Sequence, residues 1–114
     1  MKIKRLTIKE IERVYARYNR DYFQDSLPKK VRFKVSKIAD AHGECSMFTD
    51  PEGSLLYYQI EFSKDTWLCG RRLIFIILLH EMSHLAAGLH NNHKKPFPET
   101  IQRLLMAGAY DNLL

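Results

Sequence analysis

Cysteine is scarce in this 114-residue chain: Cys45 and Cys69 are the only two, and they form no CxxC pair. They read as buried thiols of a reducing cytosol. Long apolar runs are missing as well. The longest, Leu73 to Leu79, spans seven residues, far short of the roughly 20 needed to cross a bilayer. Residues 1–7 contain no apolar h-region of a secretory signal, so the expected location is cytoplasmic, with no membrane partner. Low-complexity tracts, internal repeats and linkers are absent, and 46% of residues are hydrophobic, which excludes a disordered chain and predicts a single folded domain over 1–114. Acidic residues are outnumbered, 13 against 18 basic, for a net charge of +5. That balance leans toward polyanionic partners.

What is present reads as alternating elements of an α+β domain. Thr7 and Glu10 make a capping box ahead of Ile8, Ile11, Val14, Tyr15, Tyr18 and Tyr22, apolar positions at spacings of three and four. They predict an amphipathic helix from about Thr7 to Phe23 with its aromatic stripe in the core. A loop follows to Lys30. Val31, Phe33 and Val35 alternate with Arg32, Lys34 and Ser36, a half-buried strand with a basic outer face. Glu44 to Thr49 and Leu55 to Phe62 are two more strands, joined by the turn residues Asp50-Pro51-Glu52-Gly53. The expected sheet is small and antiparallel. A central helix runs from about Arg71 to Ala87 with Gly88 as its C-cap, and a last helix from Pro98 to about Met106 turns Ile101, Leu104 and Leu105 inward.

The chemistry concentrates in the central helix, where the apolar run meets His80-Glu81-Met82-Ser83-His84. Residues i and i+4 of a helix lie about 40° apart around its axis and one turn apart along it, so both imidazoles can face one metal ion. Glu81 is rotated about 100° from His80, beside such a metal rather than on it. There it can take a proton from an attacking water, the arrangement of zinc-dependent peptide hydrolysis. The plain alternative is a buried helix with incidental histidines. The apolar run and the further histidines downstream favour Zn²⁺.

A catalytic zinc usually takes three protein ligands and leaves a fourth position open. Three residues after the helix are candidates. His90 stands at the metzincin distance from His80, but the glycine of that pattern is displaced, with Ala87 in its place. Glu99 lies on the next helix, as in gluzincins, yet Arg103 occupies the position where their second acidic residue belongs. His93 is the remaining candidate.

The pair of His80-Glu81-x-x-His84 with His93-x-x-x-Phe97 resembles the SprT-like metalloprotease domain, related to Spartan and the WLM proteases. Tyr18-Asn19-Arg20-Asp21-Tyr22-Phe23 with Leu27-Pro28 is similar to that family's first helix and its exit. Gly43-Glu44-Cys45 is similar to its strand after a glycine turn, and Gly108-Ala109-Tyr110-Asp111 to its ending. The resemblance implies a zincin-like domain with His80, His84 and His93 as zinc ligands and Glu81 as general base. Phe97 would support the third-ligand loop. It also implies an endopeptidase acting on protein or peptide substrates, including DNA-associated or DNA-crosslinked proteins. Unlike many relatives, the chain has no cysteine set for a zinc ribbon. DNA contact would then fall to the core surface, with Arg32, Lys34, Lys94 and Lys95 as candidates. A catalytically silent metal-binding module that binds nucleic acid or acts as an adaptor is the alternative. His90, Tyr57, Tyr58 and Tyr110 carry donors suited to an oxyanion, but spacing places none of them, and His42 reads as a loop residue.

Overall fold

The computed structural model describes residues 6–38, 41–88, 96–111 and 113. Helix α1 spans Ile8–Phe23 and is started by Thr7, whose hydroxyl accepts from the Glu10 amide at 3.1 Å. The Glu10 carboxylate meets the Thr7 hydroxyl and, at 3.2 Å, Arg71. The expected stripe is the buried one: Ile11, Tyr15, Tyr18 and Phe23 sit in the core, with Val14 and Tyr22 packed against it. Burial in that apolar setting pushes the phenols of Tyr15 and Tyr18 above their ordinary value.

The exit from α1 is held by Asn19. Gln24 and Asp25 both take left-handed backbone, each at φ 56°, a conformation disfavoured for residues with a Cβ. The Asn19 carbonyl accepts from the amides of both. Its side chain grips Leu27 from two sides, accepting from the Leu27 amide at 3.1 Å and donating to the Leu27 carbonyl at 3.2 Å. That returns the chain toward strand β1, Val31–Ser36.

Strand β2 (Gly43–Thr49) and strand β3 (Leu55–Ser63) form the expected hairpin. Asp50 closes it by accepting on its side chain from the Ser54 amide at 2.8 Å, and Gly53 supplies the positive φ of 89°. The wholly antiparallel sheet expected from sequence is not what forms. The order is β1-β3-β2, and β1 pairs with β3 in parallel, Val31 opposite Tyr58 and Val35 opposite Phe62. Alternation says which face of a strand is buried but not which neighbour it takes or in which direction. Strand β3 carries the fully buried Ile60 and Phe62, and the centre of the sheet is where that strand buries most and satisfies both its edges.

A short helix α2 (Lys64–Cys69) follows β3 directly, capped by Ser63 accepting from the Thr66 amide at 3.1 Å. Six residues are too few to show a helical period, so local pattern predicts no helix here. Gly70, at φ 112°, separates α2 from α3, Arg71–Ala87. Helix α3 buries Ile74, Leu78, Leu79 and Met82 between α1, the sheet and α4, Phe97–Met106. Phe97 and Leu104 are the buried residues of α4, whereas Leu105, expected inside, is 49% exposed. Cys45 is half-buried and Cys69 exposed, both as free thiols. Among the described residues no helix is long and apolar enough to cross a membrane.

Asn19→Ala leaves the buried backbone groups of Leu27 without partners. The expected loss is about 2–6 kcal/mol, from about 1–3 kcal/mol for each of the two groups orphaned. Arg20→Ala, which breaks only the exposed pair with Asp21, should cost under about 1 kcal/mol. Urea unfolding of the two variants side by side checks the ranking, and equal losses would refute the clamp.

Candidate active site

The cleft begins with two facing walls, helix α3 and the start of β2. Its volume is about 520 Å³; residues 41–46 line one side and Ile77, His80, Glu81 and His84 the other. One turn of α3 separates His80 from His84, and their rings lie 5.0 Å apart, tilted by 76°. Phe97 is the floor beneath them. Its ring stacks on His84 at 4.3 Å and 22° and meets His80 edge-on at 5.1 Å. The loop that Phe97 is expected to support lies outside the described residues; among the described ones Phe97 packs against the two helical imidazoles.

Glu81 is only 4% exposed, although it borders the cleft. Burial, with a smaller contribution from the charge of Glu44, pushes its carboxyl up to about 7. Cys45 lines the same cleft, and its thiol is pushed up to about 12, chiefly by burial and then by Glu81. At ordinary pH it is a neutral thiol and a poor nucleophile.

The walls come this close because residue 43 has no side chain. A Cβ on Gly43 would stand 2.7 Å from Ile77 Cγ2, 3.1 Å from the Glu61 carbonyl and 3.5 Å from Glu81 Oε2. From sequence Gly43 marks the glycine turn ahead of a strand, with no sign of its contact with the central helix. Its neighbour His42, read as a loop residue, lies on the cleft wall. Its backbone carbonyl accepts from the Ser63 amide at 2.9 Å, and its Nδ1 meets Thr66 Oγ1 at 3.1 Å. No spacing rule could find it, because the strand pairing that brings residue 42 opposite residue 63 is not written in a local pattern.

The remaining candidates fall differently. His90 and His93 lie outside the described residues, as do Lys94 and Lys95. Glu99 is exposed on α4, and among the described residues no three His, Cys, Asp or Glu side chains are grouped so as to hold a metal ion. The structure therefore does not bring Glu99 to His80 and His84. None of Tyr57, Tyr58 and Tyr110 borders the cleft. Tyr110 is buried in the core. Tyr57 lies on the outer face of the sheet, stacked on Phe48 at 4.8 Å, with the Arg32 guanidinium 4.0 Å over its ring. Lys34 is exposed on that same face.

Two imidazoles side by side with a carboxylate on one cleft wall form a donor set suited to zinc, lacking one ligand among the described residues. Gly43→Ala should push β2 away from Ile77 and Glu81 and destabilise the protein by about 1–3 kcal/mol. Thermal unfolding would detect the loss, and an unchanged transition would show that the walls tolerate a methyl group.

Comparison with curated proteins and with solved structures gives no match. The family model described as the SprT-like family matches residues 11–109. That span runs from the first buried residue of α1 through both histidines and the glutamate of α3 to the buried Ala109 beyond α4. The chain belongs to the SprT-like family.

Proposed function

We propose that this protein is a zinc-dependent endopeptidase, with His80, His84 and His93 holding the metal and Glu81 serving as general base. The observation that carries the reading is the arrangement of His80, Glu81 and His84 along one wall of a cleft whose other wall is an edge strand. A structural zinc site closes its coordination with protein ligands and needs no general base. This one offers two imidazoles, an adjacent carboxylate and an open cleft.

Zinc bound there supplies Lewis acidity, polarising the scissile carbonyl and making water a competent nucleophile near neutral pH. The protein's own groups do the rest. Glu81 takes a proton from the attacking water and delivers it to the departing amine, and its position next to His80 keeps both transfers within one site. Phe97 holds the two imidazoles on its face and edge. Strand β2 lies at the border of the sheet, so an extended peptide can lie along it and use backbone hydrogen bonds independent of its side chains. His93 stands as the third ligand because the Phe97 register matches the family pattern.

Zinc content should be about one per chain and should fall in His80→Ala, in His84→Ala and in His93→Ala but not in His90→Ala. Glu81→Gln should keep the metal yet lose peptide hydrolysis by about 10²–10⁴-fold, since an amide cannot accept the proton. Elemental analysis and cleavage of an unfolded protein substrate test both together. Wild-type activity in Glu81→Gln defeats the catalytic role, and zinc loss in His90→Ala with retention in His93→Ala reverses the ligand assignment.

A second feature favours substrates carried on DNA. Arg32, Tyr57 and Phe48 form a cation-aromatic-aromatic row on the outer face of the sheet, beside Lys34. Basic side chains with stacked rings suit a single strand, whose phosphates and bases they meet respectively. DNA should bind weakly, with affinity falling as salt rises and little sequence preference. Fluorescence anisotropy with single-stranded DNA should show weaker binding for Arg32→Glu/Lys34→Glu, and weaker still with Lys94→Glu/Lys95→Glu added. No binding at low salt leaves a general peptidase.

A further inference from the structure

We propose that His42 is a catalytic donor of this site, its Nε2–H bonding the peptide carbonyl oxygen as it turns into the tetrahedral oxyanion. The inference rests on the peptidase reading above and extends it to a residue on the wall opposite the metal ligands.

Position comes first. His42 borders the same cleft as His80, Glu81 and His84, immediately before the glycine that lets β2 approach α3. Its backbone is fixed: the Ser63 amide donates to the His42 carbonyl at 2.9 Å, one step beyond the Gly43–Phe62 pair of the ladder. A peptide threaded between the two walls therefore has His80, Glu81 and His84 on one side and His42 on the other.

The ring is held as well, through Nδ1. The Ser63 hydroxyl accepts from the Thr66 amide at 3.1 Å and donates to Thr66 Oγ1 at 2.8 Å. Thr66 Oγ1 has a single hydrogen to give, and its other neighbour is His42 Nδ1 at 3.1 Å. Thr66 is 1% and Ser63 5% exposed, so water does not compete for these contacts. With the Ser63 hydroxyl donating to Thr66 Oγ1, the Thr66 hydrogen is left for Nδ1, which would place the ring hydrogen on Nε2. Two buried side chains, Ser63 and Thr66, thus favour the tautomer of His42 that offers a donor away from them. A histidine that merely fills a loop needs no such relay. A preorganised donor aimed at developing negative charge is among the larger contributions to acyl-transfer catalysis.

The test joins spectroscopy to kinetics on the full chain. Long-range ¹H–¹⁵N correlation should show His42 protonated at Nε2 and bare at Nδ1, and Thr66→Val should loosen that preference. The Nδ1–H form in the wild type overturns the proposal without any activity measurement. With zinc-loaded protein and fluorescent casein, His42→Ala should lose about 10²–10³-fold in kcat, as for other oxyanion donors. KM should change far less, zinc content should stay at the wild-type level, and His42→Gln, which keeps an N–H, should recover part of the rate. Wild-type kcat in His42→Ala, or zinc loss in both variants, refutes the role while leaving the peptidase standing. A zinc-loaded wild type as inert as Glu81→Gln removes the peptidase reading and this one with it.

Discussion

The contact between Gly43 and Ile77 governs how the rest of the site can be arranged. A sheet and a helix ordinarily pack with a layer of side chains between them, and here one position on the strand contributes no atoms beyond the backbone. The strand settles against the helix at that point. Around it, the neighbours of Gly43 reach over the helical residues next to Ile77: His42, Glu44 and Cys45 on one side, His80 and Glu81 on the other. Without the close approach, the two walls would face separate regions of solvent.

The same closeness explains why a carboxylate survives in so apolar a helix. Glu81 stands one residue beyond a run of seven apolar residues and is almost wholly covered. Burying a carboxylate is costly, and a helix optimised for stability alone would carry a leucine or alanine there. The fold tolerates the expense because the surroundings are stiff: Ile74, Leu78, Leu79 and Met82 are locked into the core on the adjoining faces. Phe97 packs against both imidazoles, stacked on His84 and edge-on to His80.

Much of this was legible in the residues, and the boundary between what was and what was not has a physical origin. Helices α1, α3 and α4 announce themselves by period, caps and breakers, all local features, and so do the two histidines and glutamate one turn apart. The hairpin is equally local, carried by the Asp50 and Gly53 turn. Strand β1 was found, but its parallel partner was not, since pairing depends on residues far away in the chain. Helix α2 is too short to have a period. His42 escaped for the reason β1 did: its significance lies in a partner, Thr66, that only the fold supplies. Asn19 belongs with them, for its grip on Leu27 shows in sequence only as a polar residue in an apolar stripe.

The parallel pairing of β1 has a consequence for how the chain reaches this structure. Strands β2 and β3 are joined by a tight turn, so their ladder closes with little loss of chain entropy. Residue 31 meets residue 58 only after the whole of β2 has been looped out between them, a closure whose entropic cost grows with the length of chain enclosed. Loop-closure entropy thus favours the hairpin as the first part of the sheet to form, with β1 and the helix before it docking afterwards. Of the two walls of the cleft, the one bearing His42 and Gly43 is the one whose pairing is set by neighbours in sequence.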